Sequence, residues 1–391
     1  MMLEKEICAR NSERFDAGFK RLLEGQGVPA YSVAVWKNGR TVYRLSGGSV
    51  YPESGAGPVQ ENTRFNVGSV SKPITGAALV LLMEEGRLCL DDPVAKHIPE
   101  YPFPQVTLLH LLTHSAGYDS SVGIDFGFPA LASEVPDFLT RLYAINELKY
   151  ETGTASEYFT LGYCMLMDVI ERVSGMAFDT FVAQRLFLPL GMTSSAFDPG
   201  RLAESPPYVL PWDGNRREHL REEAMTAVMG DRGLFTTSDD LVRFGRLFLN
   251  GRDNGHRSEK WSVSDKACMG EELSDGDTGG GHGRQLSDRD NGGVPPVFSP
   301  AAIDLMTREL PGISPCKTPV FWKKGSRDEY GCFGDTNSSA ALGHTGFTGC
   351  MLLVDPAHDT AAAMLTNSVD WHADWRNYKR LCNLVMALPN K

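Results

Sequence analysis

The chain has 391 residues, of which 42% are hydrophobic and 22% charged, and a formal net charge of −11. This composition suits a globular protein with one large domain or two interleaved subdomains, and an acidic balance with no basic cluster argues against nucleic acid as a partner. No run of about 18 apolar residues is present, so no membrane span is expected.

The N-terminal stretch MMLEKEICARNSERFDAGFKRLLEG is charged throughout and lacks the apolar centre of a signal peptide, so a cytoplasmic location is expected. Cys8, Cys89, Cys164, Cys268, Cys316, Cys332, Cys350 and Cys382 are scattered without a C-x-x-C pair. That reads as reduced thiols rather than a zinc ribbon or a disulfide framework.

Residues 3–25 carry an amphipathic helical pattern with Phe15, Phe19, Leu22 and Leu23 along one side. Tyr31–Trp36 and Thr41–Leu45 read as strands, and Asn38-Gly39 between them is a strong hairpin signal. Asn66–Gly86 opens on Ser69 and Lys72, runs apolar after Pro73, and can close at Gly86. The middle, from about 90 to 200, is mostly helical by apolar spacing, as in VTLLHLLTHSAGY and LGYCMLMDVIERVSG, with LFLPLGM and PPYVLPW as punctuation. GDRGLFTTSDDLVRFGRLFLNG predicts a loop and then a helix, capped by Ser238 or Asp239, with Leu241, Phe244, Leu247 and Phe248 buried. Residues 251–296 are polar and glycine-rich and read as a flexible surface insertion. ALGHTGFTGCMLLVDP and TAAAMLTNS predict adjacent strands joined at 356–359, and DWRNYKRLCNLVMALP a closing helix. The first and last pieces are expected to share one sheet.

Ser69 and Lys72 are spaced to share one face at the helix entrance. A lysine facing a serine there makes sense if it activates the serine as a nucleophile. S-x-x-K alone is weak, with roughly one match by chance in a chain this long. Ser314-Pro315-Cys316-Lys317 is a second match, set aside because three prolines surround it.

Five stretches in order, FNVGSVSKPITGAALVLLMEEGRLCLDDPV, LLTHSAGY, ETGTASEYFTLGYCML, GLFTTSDDLVRF and GHTGFTGCMLLVDP, resemble the serine β-lactamase and penicillin-binding-protein superfamily. The likeness is to the branch holding class C β-lactamases, D-stereospecific peptidases and β-lactamase-like esterases, and covers about residues 10–388. The resemblance implies an α+β fold: an antiparallel sheet flanked by terminal helices plus a mostly helical subdomain, of the β-lactamase/transpeptidase type. One catalytic domain over 1–391 would then comprise an α/β part at about 1–65 and 297–391, a helical part at about 66–250, and the insertion at 251–296.

The resemblance also implies roles. Ser69 would be the acylated nucleophile and Lys72 would take up or relay its proton. Tyr158, in EYFT, matches the tyrosine of the family's Y-x-N and would be the general base of acylation. His344-Thr345-Gly346 matches the K-T-G strand, and the N–H groups of Ser69 and Phe347 would form the oxyanion hole. The chemistry is coherent in itself: acyl transfer needs a nucleophile, a base and two oxyanion donors. A helix N-terminus supplies one donor, and an edge strand with Gly346 would admit a substrate backbone.

Two positions depart from the pattern. Thr160 stands for the asparagine of Y-x-N, and His344 for the lysine of K-T-G. A threonine cannot reproduce an amide that both donates and accepts, and a histidine is only partly charged near neutral pH. Both favour hydrolysis of small esters or amides over antibiotic lactams. A class C-like β-lactamase, acyl transfer to a small acceptor and a non-catalytic binding domain stay open. Each residue also has a plainer reading. Ser69 could cap the helix, Lys72 could be solvated, Tyr158 could be a packing residue beside the similar Tyr163, and His344 could point away from any site. His110 and His114 have a metal-ligand spacing, but no third ligand or intervening glutamate is evident. No cofactor or metal is called for. The expected partner is a small-molecule ester, amide or lactam, and oligomeric state is left open.

Overall fold

The computed structural model describes residues 2–51, 57–122, 129, 132–201, 208–220, 225–249, 297–310, 316–325 and 331–389. The insertion predicted at 251–296 lies outside the described residues, as does Ser314. In chain order, helix α1 (Met2–Leu23) leads into strands β1 (Ala30–Lys37) and β2 (Arg40–Gly48), joined as the sequence predicts by Asn38 and Gly39, with φ of 48° and 84°. Positive φ at both central residues is the tight-hairpin requirement that Asn-Gly meets. Then come β3 (Arg64–Asn66), α2 (Ser71–Glu84), α3 (Leu108–Leu112), α4 (Gly162–Ser174), β4 (Tyr208–Val209), β5 (Phe235–Thr236) and α5 (Ser238–Arg246). The final part holds β6 (Trp322–Lys323), β7 (Leu342–Thr345), β8 (Met351–Asp355), β9 (Thr360–Thr366) and α6 (Arg376–Ala387).

The main sheet is antiparallel, in the order β2-β1-β9-β8-β7-β6, so the early and late strands do share one sheet. Val33 pairs with Met364 and Ala34 with Ala363. One face packs Val33, Val35, Leu353 and Met364 against Phe19 and Leu23 of α1 and Tyr378, Leu381 and Val385 of α6. The other packs Ala34, Leu352, Val354 and Ala363 against Leu241 and Phe244 of α5 and the large core around α2 and α4. Covering both faces explains why β8 and β9 read as nearly unbroken apolar runs.

Helix α2 is buried from Ser71 to Leu82. Such a helix belongs in a core, and here it carries the Ser69 turn between the sheet and α4. Sequence and structure part at three places. VTLLHLLTHSAGY is helical only over Leu108–Leu112, because Thr107 and His110 form a reciprocal capping pair at one end and His114 turns the chain with φ 56° at the other. Helix α5 is capped by Thr237, whose hydroxyl accepts from the Asp240 N–H, not by Ser238 or Asp239. Three polar residues in a row can all cap; the extended backbone of Thr237 selects it. And the stretch 66–250 also holds strands β4 and β5, which flank β3 in a small sheet, and α5, which lies on the main sheet.

Among the described residues no helix is long and apolar enough to cross a membrane. Among the described residues, Cys89 is an exposed thiol and Cys164 and Cys350 are buried ones.

Candidate active site

Ser69 sits in a single 3-10 turn, Gly68–Val70, that feeds α2. Gly68 has φ 53°, and a Cβ there would come within 3.0 Å of the Phe347 ring. Glycine is required for this turn to lie against the end of β7. Ser71 pins the turn: its hydroxyl donates to the Gly68 carbonyl (2.7 Å) and accepts from the Leu234 N–H (3.0 Å). Pro73 falls in the first turn of α2, where a missing N–H costs nothing.

Lys72 is 0% exposed. Its Nζ donates to Ser69 Oγ (3.0 Å), Thr160 Oγ1 (2.9 Å) and the Asp231 carbonyl (3.0 Å). An ammonium has three N–H groups, and all three have an acceptor. Nζ also lies 5.0 Å from the Tyr158 ring centroid.

Tyr158 OH donates to Ser69 Oγ at 2.9 Å. Its rival Tyr163 is turned away, its hydroxyl donating to the Leu112 carbonyl (2.9 Å). The loop carrying Tyr158 is tied to the turn after α3 by neighbours on both sides. Ser156 Oγ donates to Thr113 O (2.9 Å), Glu157 N to His114 O (3.0 Å) and Phe159 N to His114 Nδ1 (3.1 Å). Burial, then the charges of Lys317 and Lys72, push the His114 pKa well down. The ring is therefore neutral, and its Nδ1 lies 3.1 Å from both the backbone nitrogen and the carbonyl oxygen of Phe159. His110 instead takes the Thr107 N–H on its Nδ1 (3.1 Å). The two histidines thus serve separate loop contacts rather than converging on one point.

Thr160 completes the helical side, its hydroxyl donating to Asp231 Oδ2 (2.8 Å) while accepting from Lys72. Asp231, 2% exposed, is the residue that sequence reasoning missed. Its carbonyl holds Lys72 and its carboxylate holds Thr160 and the Cys164 thiol (3.4 Å). Its only sequence signal is a place in the Gly-rich stretch GDRG.

Opposite this group lie Thr345, the end of β7, and Gly346-Phe347 beyond it, where a Cβ on Gly68 would meet the Phe347 ring. The expectation of an edge strand is corrected. Strand β6 lies outside β7, pairing Trp322 with Gly343 and Lys323 with Leu342. Gly346 is glycine because of the chain itself: a Cβ there would sit 2.1 Å from the Val67 carbonyl oxygen. No acceptor among the described residues takes the Phe347 N–H, and Ser69 N–H belongs to a helix start, where N–H groups lack intrahelical partners. The Gly346 carbonyl accepts from Tyr378 OH (3.1 Å), and that hydroxyl meets His372 Nδ1 (2.8 Å).

His344 is 2% exposed and stacks on Trp322 with centroids 4.2 Å apart. Burial, then the charge of Lys72, push its pKa well down, so it is neutral and its Nδ1–H is used on the Thr345 carbonyl (2.7 Å). Thr345, 1% exposed, has a hydroxyl without a hydrogen-bond partner among the described residues. The structure therefore brings Ser69, Lys72, Tyr158 and Thr160 into one hydrogen-bonded group. His344, Thr345, Gly346 and Phe347 face it as a second, aromatic and less satisfied group. A hydroxyl between a cation and a phenol, at a helix start beside an unused N–H, is equipped for acyl transfer.

A family profile described as Beta-lactamase matches residues 15–384. The chain is 32% identical over 237 residues to Esterase EstB of Burkholderia gladioli, covering 55% of this chain and 58% of that protein. It is 25% identical over 372 residues to a putative D-alanyl-D-alanine carboxypeptidase of Escherichia coli (strain K12), covering 87% of this chain and 79% of that protein. Among solved structures, EstCE1, described as a hydrolase with promiscuous acyltransferase activity, superposes with a TM-score of 0.70 at 17% identity, over 97% of this chain and 99% of that one.

Proposed function

The chain belongs to the Beta-lactamase family of serine hydrolases and has its α+β fold, and we propose that it cleaves small esters or amides through an acyl-enzyme on Ser69. The observation that carries this reading is the double contact on Ser69 Oγ, from Lys72 Nζ at 3.0 Å and Tyr158 OH at 2.9 Å. Ser69 Oγ attacks the substrate carbonyl carbon. Tyr158 serves as the general base for the serine proton, and Lys72, bonded to Ser69 Oγ and beside the Tyr158 ring, favours negative charge on both oxygens. The carbonyl oxygen becomes an oxyanion received by the Ser69 and Phe347 N–H groups, each such donor being worth about 3 kcal/mol. Tyr158 then passes its proton to the leaving alcohol or amine as the carbonyl–heteroatom bond breaks. Water, activated by the same oxygen, releases the acid and frees Ser69.

His344 and Thr160 bear on the substrate class. A neutral, stacked imidazole offers no cation to a substrate carboxylate. Thr160 is spent between Lys72 and Asp231 and presents no amide to an acylamido side chain. Both favour neutral esters over carboxylate-bearing lactams. The test is turnover of short p-nitrophenyl esters beside a chromogenic cephalosporin, with Ser69→Ala as the blank. Ester cleavage that vanishes in the blank, with slow or absent cephalosporin cleavage, is expected. Fast cephalosporin cleavage would make the protein a working β-lactamase, and equal rates in the blank would remove Ser69 from the chemistry.

A further inference from the structure

Lys317, set aside with its proline-flanked S-x-x-K, lies 5% exposed beside the Tyr158 loop. Its Nζ donates to Ser156 Oγ (2.9 Å) and to Thr113 O (3.3 Å), two groups that already bond each other. No carboxylate among the described residues offsets it, and burial alone pushes its pKa down to about 7. The titratable groups that face it are His114 from the turn after α3 and His344 from β7, both driven neutral in part by its charge. The His114 ring lies 4.6 Å from the Tyr158 ring, centroid to centroid. Lys317 is also bridge-paired to Trp322, whose ring meets Tyr158 edge-on at 6.2 Å.

A lysine is a poor choice for this place on structural grounds. Ser156, Glu157 and Phe159 already tie the two loops without it. A methionine would fill similar space with no charge to desolvate, and buried charges are often replaced at no loss of stability. A buried, uncompensated lysine beside a proton-handling residue has a functional rationale.

We propose that Lys317 is a positioning residue for Tyr158, fixing its loop through Ser156 and Thr113 and placing a positive charge beside that loop. This rests on the acyl-enzyme reading above. When protonated, Lys317 favours negative charge on the Tyr158 oxygen; when neutral, it keeps two N–H donors and its grip on the loop but loses that effect. Its contribution therefore has a part that persists with pH and a part present only below about pH 7.

The test is the rate at which a fluorophosphonate modifies Ser69, measured against pH in the wild type, Lys317→Met and Lys317→Gln, with thermal melts alongside. Phosphonylation reads Ser69 activation whatever the natural substrate is. Lys317→Met is expected to react about tenfold slower than wild type near pH 6 and within about threefold near pH 9. Lys317→Gln, which keeps donors without charge, is expected to recover the high-pH rate and not the low-pH rate. Variants whose rates differ from wild type by one constant factor, or not at all, would overturn the proposal while leaving Ser69 as nucleophile. Failure of wild-type Ser69 to react would overturn both readings together. If neither variant folds, the wild-type profile decides, a step near pH 7 supporting the proposal and its absence overturning it.

Discussion

The two walls of the cleft are built on opposite rules. On the helical wall the side chains around Ser69 are bonded to one another: Lys72 spends three N–H groups, Thr160 both donates and accepts, and Asp231 uses its carbonyl and both carboxylate oxygens. On the sheet wall the Thr345 hydroxyl has no partner among the described residues, the Phe347 N–H has no acceptor there, and His344 is stacked against Trp322. A fully satisfied network is rigid and keeps protons in fixed places. Unspent buried donors cost stability unless something else uses them. Under the proposed function, proton handling would fall to the first wall and substrate recognition to the second.

The comparison breaks most visibly at Ser69. Ser69→Ala should lower kcat/KM by about 10⁴-fold or more, with little change in Tm. A residual rate near wild type would mean that the helical wall does not hold the nucleophile. Tyr158→Phe keeps the ring between Lys72 and His114 and removes only the oxygen. A loss of about 10²- to 10⁴-fold in kcat, with KM nearly constant, is expected from steady-state kinetics. A change confined to KM would move Tyr158 to the recognition side.

Gly346→Ala tests the sheet wall's backbone. A new Cβ would lie 2.1 Å from the Val67 carbonyl, so denaturant titration should show about 3 kcal/mol of lost stability. Unchanged stability would mean the turn has room to move. His344→Lys sharpens the contrast further. It places a charge where a neutral ring stacks, so Tm should fall, while hydrolysis of carboxylate-bearing substrates should rise relative to neutral esters. Unchanged selectivity would show that position 344 does not meet substrate.

The smallest effect is a slope. His114 and His344, one on each wall, have pKa values depressed by burial. The unfolded chain takes up protons below the ordinary histidine value of about 6.5 while the folded chain does not, so stability should fall as pH drops through that range. Lys317 adds to this at higher pH. With a folded value of about 7 against an ordinary value of about 10.4, its contribution to stability rises with pH between the two. Lys317→Met should therefore melt above wild type at and below neutral pH, with the gap closing in alkali. A gap that does not depend on pH would mean that Lys317 is not neutral in the folded protein.

The hairpin at Asn38-Gly39, the outer helices and the adjacency of the two late strands could be read from the sequence because each rests on contacts between near neighbours or on an unbroken pattern. Asp231 was hidden because its main contact with Lys72 is through a carbonyl, which every residue has. Lys317 was hidden because its partners lie 204 and 161 residues away, and the local prolines argue only about a local helix. Gly346 was recognised as a place of close approach, but the approaching group, Val67, belongs to a segment some 280 residues earlier, and no local rule names it.

The pairing of β1 with β9 has a kinetic consequence. The Ala30 N–H bonds the Asn367 side chain across 337 positions, and the intervening segment holds Ser69, Lys72, Tyr158 and Asp231. Closing so long a loop is slow and comes late. During synthesis the early hairpin must wait for β9 with one sheet edge open, and Ser69 has no companion Phe347 N–H until the strand before it has left the ribosome. Refolding from denaturant should accordingly restore helical signal before Ser69 becomes reactive, so that assembly of the sheet sets when the chemistry switches on.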